Sequence, residues 1–461
     1  MALLSFLDRE HTIAPPGYSR WLVPPAALAI HLSIGQAYAF SVFNLPLSKL
    51  VGGAASAPDD WKLSTIGWIF SIAIVFLGLS AAIWGAWLER VGPRKAMFAS
   101  ACCFGGGFLV GSLGISTHQF WLLLLGYGVL GGIGLGLGYI SPVSTLIKWF
   151  PDRPGMATGM AIMGFGGGAM VASPLSVALM NHFKTSATHG LAESFVALGI
   201  GYFLFMMIGV FLVRLPSTDD VRGTAERPLP HTMEWRAGGV TPPAAATTAH
   251  AVRQVPVHEA WRTRQFWLLW VVLLLNVTAG IGVLGQASAM IQEVFPGRIT
   301  AAAAAGFVGL LSLANMAGRF LWSSTSDKIG RRATYMIFFL LGALLYFAVP
   351  TIGVSSVLLF VLFYAVILSM YGGGFATVPA YLRDLFGTSQ VGAIHGRLLT
   401  AWSTAGVLGP VLVNYIREYQ IAHGVAKAAS YNTTMFIMAG LLLVGFVANA
   451  LVRPLPEVRT A

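Results

Sequence analysis

One arginine lies deep inside a long apolar stretch of the sequence, where a charge is expensive. Arg319 comes eight residues before Asp327, and the middle of every such stretch lacks Asp and Glu. If the stretch spans a bilayer, an arginine at its centre costs about 2.5 to 3.5 kcal/mol and needs a partner. Because the sequence offers no fixed acid, we predict that a bound anion fills this role. A carboxylate is favoured, since the planar guanidinium can bind it through two parallel hydrogen bonds.

The same residue also has a plainer explanation. The long side chain of Arg319 can extend toward the aqueous interface or bond backbone carbonyls, because Asp327 is only about two helical turns away. Asn315 lies one turn before Arg319 on the same helix face. Its amide can orient the guanidinium, bind the anion or hold neighbouring helices together. The sequence leaves these alternatives open.

Other titratable side chains in the apolar stretches are rare. His31 and His395 are the candidates for proton coupling, because histidine has an unperturbed pKa near neutrality. Each can equally be a neutral, hydrogen-bonding histidine. Cys102 and Cys103 are adjacent in the chain, so they neither bridge distant elements nor form a metal site. We find no catalytic constellation and therefore predict a protein that is not an enzyme and that holds no cofactor and no metal.

The composition predicts a membrane protein. Of 461 residues, 56% are hydrophobic and only 10% are charged, and the mean hydropathy is +0.73. So few charges cannot cover the surface of a soluble domain of this length. Apolar stretches of about 20 residues, long enough to cross a bilayer as a helix, recur along the chain. The twelve predicted spans lie near 21–43, 65–87, 96–116, 120–147, 156–180, 194–214, 266–293, 302–325, 334–353, 355–380, 393–416 and 432–452.

The basic residues predict the orientation in the membrane. The formal charge is +11, but the lysines and arginines form no continuous stripe for nucleic acid. They concentrate in alternate loops, which the positive-inside rule assigns to the cytoplasm. We therefore predict a multi-pass protein of the bacterial inner (cytoplasmic) membrane with both termini in the cytoplasm. Residues 1–20 lack the pattern of a cleaved signal peptide, so we expect the first span to be retained.

The predicted spans fall into two halves of six. Segment 215–264 is rich in Pro, Ala, Thr and charge and lacks apolar periodicity, so we predict a cytoplasmic linker there. It joins an N-terminal bundle (21–214) to a C-terminal bundle (265–453). The remaining residues, 1–20 and 454–461, are predicted as cytoplasmic termini.

Two segments recur in both halves. One begins at Gly85 after the second span and at Ser323 after the eighth, and in each an acid precedes a glycine by three residues. The other carries two glycines four residues apart, Gly155/Gly159 in the first half and Gly392/Gly396 in the second. Duplication on this scale is common in membrane carriers.

The first repeated segment resembles the loop signature of the major facilitator superfamily. The resemblance implies an all-α membrane protein with 12 transmembrane helices in two pseudo-symmetric six-helix bundles, and a transport function. We expect Arg90, Arg94 and Lys95 to pair with Glu89 and with helix C-termini, which would hold the bundles in one of two arrangements. The signature positions of the two loops are Gly85, Glu89, Arg90, Gly92, Arg94, Asp327, Gly330, Arg331 and Arg332.

Four further segments resemble the oxalate/formate antiporter family, and the eighth span also resembles the monocarboxylate transporters. The resemblance implies that Arg319 binds the substrate carboxylate and that Tyr38 and Tyr139 donate hydrogen bonds to it. Tyr371 and Phe375, one turn apart beside three glycines, are expected to form an apolar wall. The four segments are Gly35–Phe43, Tyr139–Pro154, Asn315–Arg332 and His395–Trp402.

One departure from the family pattern bears on the substrate. The family's oxalate exchanger has a lysine after a Thr-Ala pair in the eleventh span, and here Trp402 follows that pair. Two fixed positive charges suit a dianion, whereas one suits a monoanion. We therefore predict a secondary transporter of small monocarboxylates (pyruvate, lactate or formate class), monomeric in the lipid bilayer, working by anion exchange or proton symport. An oxalate/formate-type dicarboxylate exchanger and a transporter-like carboxylate sensor are the alternatives.

Overall fold

Twelve membrane-spanning helices make up most of the chain. The computed structural model describes residues 2–52, 57–185, 189–217 and 254–455. Within these ranges, twelve helices are long and apolar enough to cross a membrane. One isolated bridge joins Ile13 to Leu215, and the described elements are otherwise helical. The predicted all-α fold with twelve spans is confirmed.

The spans form two sets of six. The first set is α1 (Arg20–Leu47), α2 (Leu63–Val91), α3 (Pro93–Ser116), α4 (Phe120–Trp149), α5 (Pro154–Phe183) and α6 (Leu191–Leu212). The second set is α7 (Arg264–Val294), α8 (Ala301–Ile329), α9 (Arg331–Ala348), α10 (Val357–Phe386), α11 (Val391–Ala422) and α12 (Asn432–Ala450). Gly92 and Gly330 join α2 to α3 and α8 to α9 with the same φ of 88°. Glycine adopts this conformation without steric cost, which explains its place in both repeated loops.

Three spans are irregular, and in α4 the irregular part is a π-helix over Leu124–Gly131. In α1, a regular α-helix over Val23–Ile34 continues as a 3₁₀ helix over Gly35–Phe43. In α11, one α-helix covers Val391–Leu398 and a second begins at Thr400. Such changes of helix type often mark functional positions.

The two bundles contact each other along α5 with α8 and along α2 with α11. Glycines permit the approach, because a Cβ on Gly159 would lie 2.9 Å from the Arg319 carbonyl oxygen. On the other side, a Cβ on Gly396 of α11 would clash with the carbonyl oxygen of Ala81 on α2. The glycine pairs that the sequence repeats therefore lie where helices of opposite bundles touch.

Two acidic side chains of the repeated loops also connect the bundles. Asp327 on α8 accepts hydrogen bonds from the backbone N–H groups of Gly155 and Met156, both at 2.8 Å. Glu89 on α2 accepts one from the N–H of Gly392 at 3.1 Å. Each acid thus caps the first turn of a helix in the other bundle, where free N–H groups and the helix dipole favour a negative charge. We call the membrane face that carries these loops the motif face.

Two arginines of the motif face bind helix C-termini, as predicted for Arg94. Arg94 donates to the carbonyl oxygens of Val210 (3.1 Å) and Val213 (3.2 Å) at the end of α6. At the corresponding place in the second half, Arg332 donates to the carbonyl oxygen of Ala450 at the end of α12. These bonds lie within single bundles and fix the last helix of each half to its repeated loop.

The predicted ion pairs of Glu89 with the basic residues of its own loop are wrong. Glu89 pairs instead with Lys148 from the end of α4, at 2.7 Å. Lys95 pairs with Asp8 of the N-terminal segment at 2.9 Å, and Arg90 is exposed. The cause is the turn at Gly92, because the arginine and lysine that follow it belong to α3 and face the N-terminal segment and α6.

The predicted linker 215–264 lies mostly outside the described residues, as do residues 456–461 of the predicted tail. The end of the linker is described and holds a helical turn over Val257–Ala260. There the N–H of Val255 donates to the carbonyl oxygen of Phe386 at 2.9 Å. This end of the linker therefore lies against the loop that joins α10 to α11, while the domain boundaries stay predictions.

Candidate functional site

Arg319 lies at the contact between the two bundles and is fully buried. Its Nε donates to Asn315 Oδ1 at 3.1 Å, and its Nη1 lies 3.4 Å from the carbonyl oxygen of Ile162 on α5. Its Nη2 is buried and has no hydrogen-bond partner among the described residues. Arg319 also forms no ion pair with a carboxylate in the described ranges. The protein therefore leaves the charge of this guanidinium uncompensated.

This geometry separates the alternatives that the sequence left open for Arg319 and Asn315. The guanidinium stays inside the protein instead of extending to the interface, and it contacts one carbonyl at the long end of the hydrogen-bond range. Asn315 lies one turn away on α8 and orients the guanidinium through its amide oxygen. The unused hydrogen-bonding capacity of Arg319 is concentrated on Nη2.

Two aromatic rings flank the guanidinium, and a third ring packs on both of them. Arg319 Cζ lies 5.6 Å from the centre of the Phe165 ring and 5.3 Å from that of Phe375, within the range of cation–π attraction. The Trp402 ring is fully buried and packs on both, with centroid distances of 4.5 Å to Phe375 and 5.5 Å to Phe165. Rings from α5, α10 and α11 thus exclude water, which strengthens any charge interaction with Arg319.

Two tyrosines from opposite bundles meet above the rings. The hydroxyls of Tyr38 on α1 and Tyr371 on α10 are 3.2 Å apart and hydrogen-bonded. Tyr371 stacks edge-on against Phe375 at 5.2 Å, so its ring lies in the predicted wall while its hydroxyl adds a polar contact. The close approach of α1 and α5 places Tyr38, because a Cβ on Gly35 would lie only 3.0 Å from the Cα of Gly168.

Tyr139 and Trp402 each carry a buried hydrogen-bond donor that is unused, within the aromatic cluster at Arg319. The Tyr139 hydroxyl and Trp402 Nε1 are both buried, and neither donates a hydrogen bond in the described part of the chain. The two rings are in edge contact at 5.2 Å, and the Tyr139 hydroxyl interacts electrostatically with the guanidinium. A buried polar group without a partner costs about 1 to 3 kcal/mol. Together with Arg319 Nη2, these groups make three unused hydrogen-bond donors, as an anion site requires.

Phe165 is the central aromatic residue that the sequence interpretation missed. It lies in the glycine-rich run Gly164–Gly168 of α5, which by itself indicates only helix packing. The repeated segments with paired glycines contain a signal that predicts the position of Phe165. Phe165 follows Gly155 by ten residues, and Trp402 follows Gly392 by ten. The two aromatic rings therefore occupy corresponding positions of the two halves, and they contact each other.

The rings of the two histidines both lie close to the Tyr139 ring. The His31 ring is 5.4 Å from the Tyr139 ring, and its Nδ1 is 3.2 Å from the carbonyl oxygen of Ala27. The His395 ring is 5.8 Å from Tyr139, and both of its nitrogens lack partners among the described residues. Their predicted role in proton coupling stays a prediction. Within the described ranges, no three His, Cys, Asp or Glu side chains converge on a possible metal site.

Alanine at Gly166 is expected to disturb Arg319 and so to weaken binding of the carboxylate predicted from the sequence, about three- to tenfold. A Cβ there would lie 3.0 Å from Arg319 Nε and 3.2 Å from its Cδ, so the guanidinium must shift away from Asn315. Displacing one hydrogen-bonded group costs about 0.5 to 1.5 kcal/mol. The measurement is the half-saturation concentration for carboxylate uptake. Gly201→Ala on α6 is the matched control, because a Cβ there meets nothing within 4 Å; equal values for both variants would contradict the prediction.

Comparisons with known proteins agree with this architecture. The family model described as Major Facilitator Superfamily matches residues 17–410 and 298–461. The oxalate:formate antiporter of Oxalobacter formigenes is 24% identical over 435 residues, which cover 94% of this chain and 90% of that protein. Apicoplast pyruvate carrier 1 of Toxoplasma gondii is 25% identical over 383 residues, covering 74% and 68% of the two chains.

Among solved structures, the fold is similar to that of the proton:xylose symporter XylE. The TM-score is 0.66 at 15% sequence identity, and the match covers 94% of this chain and 96% of that one. At this identity the likeness concerns the fold alone. The family match, the twelve spans and the two-bundle arrangement lead to one conclusion: the chain belongs to the Major Facilitator Superfamily, whose members are membrane transporters and not enzymes.

Proposed function

We propose that this protein is a secondary transporter of small monocarboxylates. One observation carries the proposal: Arg319 is fully buried between the bundles and its Nη2 has no described partner. A carboxylate bound there neutralises the guanidinium and can also accept from the Tyr139 hydroxyl. Charge-assisted hydrogen bonds of this kind are the strongest that a site of this size can offer.

The surroundings of Arg319 favour a small monoanion. The aromatic cluster at Arg319 consists of Phe165, Phe375 and Trp402. The centroid of the Trp402 ring lies 4.5 Å from that of Phe375 and 5.5 Å from that of Phe165. Trp402 occupies the position where the resemblance implies a second cation for a dianion. One cation enclosed by apolar rings compensates one negative charge and leaves a second carboxylate without a partner.

Alternating access follows from the position of the site between two bundles. On the motif face, the bundles are joined by the glycine contacts and by Asp327 and Glu89. On the other side of Arg319, the bond between Tyr38 and Tyr371 joins them. A carboxylate makes the site neutral, whereas without one the site carries a buried charge through the bundle movement. This difference favours exchange of one anion for another over net uptake, with proton symport as the alternative.

The relatives and the loop charges support the same proposal. Two relatives are an oxalate:formate antiporter and an apicoplast pyruvate carrier, and both names describe carriers of small carboxylates. Because the first relative is an oxalate:formate antiporter, oxalate exchange is the second candidate function. Basic residues on the motif face favour a cytoplasmic location of that face and of both termini, in a bacterial inner membrane. A single chain with two bundles needs no second copy.

The proposal is tested by flux into liposomes that contain the purified protein. Uptake of labelled lactate, pyruvate, formate and oxalate is measured with and without unlabelled substrate inside. We expect saturable uptake of monocarboxylates that depends on internal substrate. Uptake into empty vesicles that needs an inward proton gradient would replace exchange with symport, and the lack of any carboxylate flux would reject the proposal.

Trp402→Lys is expected to shift the preference from monocarboxylates toward oxalate. The substitution puts a second cation beside Arg319, and a favourable charge interaction of about 1.4 kcal/mol changes the relative affinity about tenfold. The measurement is inhibition of labelled lactate uptake by oxalate. Trp402→Leu serves as the control, because it also removes the buried ring but adds no charge. If both variants respond to oxalate alike, the charge at this position does not set the preference.

A further inference from the structure

His31 presents an unused hydrogen-bond acceptor to the candidate site. The ring is fully buried, and Nε2 has no partner among the described residues. Nδ1 lies 3.2 Å from the carbonyl oxygen of Ala27. A carbonyl oxygen can only accept, so Nδ1 carries the hydrogen of this bond. In a neutral imidazole the other nitrogen is then an acceptor, so Nε2 needs a donor.

The neutral form of His31 follows from its surroundings. The groups that face the ring are the backbone carbonyls of Ala27 and Tyr139, the Tyr139 ring, the Arg319 guanidinium and, farther along, His395. None of these is an acid. A protonated ring would add a second buried cation near the uncompensated guanidinium, which is highly unfavourable.

Two observations place His31 at the carboxylate site. A Cβ on Gly164 of α5 would lie 3.1 Å from the Cβ of His31, so His31 faces the segment of α5 that also carries Phe165. The ring also interacts electrostatically with the Arg319 guanidinium and is in edge contact with Tyr139. An acceptor therefore lies beside a group of donors that suits a carboxylate.

We propose that His31 selects small 2-hydroxy monocarboxylates, with the substrate carboxylate on Arg319 and the neighbouring hydroxyl donating to His31 Nε2. The inference rests on the proposed function. A 2-hydroxy acid carries a donor on the carbon next to its carboxylate, so one small molecule supplies both the acceptor that Arg319 needs and the donor that His31 needs. A 2-oxo acid such as pyruvate has only acceptors at this position, and acetate, propionate and formate have neither group.

The test compares substrate pairs that differ by one hydroxyl. Uptake of labelled lactate into liposomes is inhibited with unlabelled lactate, propionate, pyruvate, glycolate and acetate. We expect lactate to inhibit about three- to tenfold better than propionate or pyruvate, and glycolate better than acetate by the same factor, as one hydrogen bond allows. His31→Leu should remove the difference within each pair. His31→Gln should keep it, because the amide oxygen is also an acceptor.

The ratio within a pair distinguishes selection from a general effect on folding, since poor folding lowers the uptake of both members alike. Equal inhibition by lactate and propionate in the wild-type protein would overturn the inference and leave the proposed function intact. A preference that survives in His31→Leu but disappears in Tyr139→Phe would assign the hydroxyl contact to Tyr139 instead and would also overturn it. Failure of every carboxylate to inhibit or to be taken up would reject the proposed function itself.

Discussion

Monocarboxylate uptake is expected to fall about 100-fold or more when Arg319 is replaced by alanine. The variant loses the buried guanidinium, whose Nη2 has no hydrogen-bond partner among the described residues. Each hydrogen bond from this group to a carboxylate is worth about 1.5 to 3 kcal/mol. Two such bonds amount to at least two orders of magnitude in binding. Arg319→Lys should retain a part of the activity, because lysine keeps the charge but lacks the planar fork. The measurement is the initial rate of exchange in liposomes.

The controls for this prediction separate binding from folding. Arg298→Ala removes an exposed arginine outside the membrane spans and should change the rate less than twofold. Removing the uncompensated charge of Arg319 should leave the temperature of unfolding unchanged or raise it, since an unpaired buried cation destabilises the fold. Exchange at the wild-type rate in Arg319→Ala would remove this residue from the substrate site.

The second large effect is expected at Asp327, as an opening of the motif face. Asp327 accepts from two N–H groups of α5 and pairs with Arg331 at 2.6 Å. Asp327→Asn loses the negative charge and turns an amide group toward one of these donors. A loss of about 2 kcal/mol shifts the balance between closed and open forms roughly 30-fold. Glu89→Gln should act in the same direction but less, since Glu89 accepts from one N–H group only.

The opening can be measured as a distance between spin labels on the two bundles. Arg153 before α5 and Lys328 at the end of α8 are both exposed on the motif face, so labels there report its separation. We expect a longer distance to gain population in Asp327→Asn. Asp8→Asn is the matched control. Asp8 pairs with Lys95, whose ammonium lowers the pKa of that carboxyl, and both residues belong to the N-terminal half, so this ion pair does not connect the bundles. An unchanged distance distribution in Asp327→Asn would show that Asp327 does not hold the bundles together.

Local properties of the sequence were enough to predict the spans and the arginine. The twelve spans could be predicted because a helix that crosses a bilayer needs a long apolar stretch, and such a stretch consists of consecutive residues. Arg319 stands out for the same reason, as a charge where the membrane tolerates few. Its neighbour Asn315 follows from helix geometry, since residues four apart share a face.

The contacts between distant segments could not be predicted in the same way. Tyr38 and Tyr371 meet across 333 positions of the chain, and Lys148 reaches Glu89 only because α4 ends beside α2. Phe165 has no local sign of its role, because an aromatic residue among glycines is typical of plain helix packing. The repeat is the one long-range signal in the sequence, and it places Phe165 and Trp402 at equivalent positions.

In the proposed mechanism, Arg319 binds the carboxylate of the substrate through its charge. Equilibrium binding of labelled lactate to the purified protein tests it most directly, with competition by unlabelled lactate and by lactamide, its neutral amide. We expect that lactate competes and that lactamide competes at least about 100-fold less well, because the amide cannot compensate the guanidinium. Arg319→Ala should bind neither compound. Equal competition by lactamide, or lactate binding that persists in Arg319→Ala, would contradict the claim.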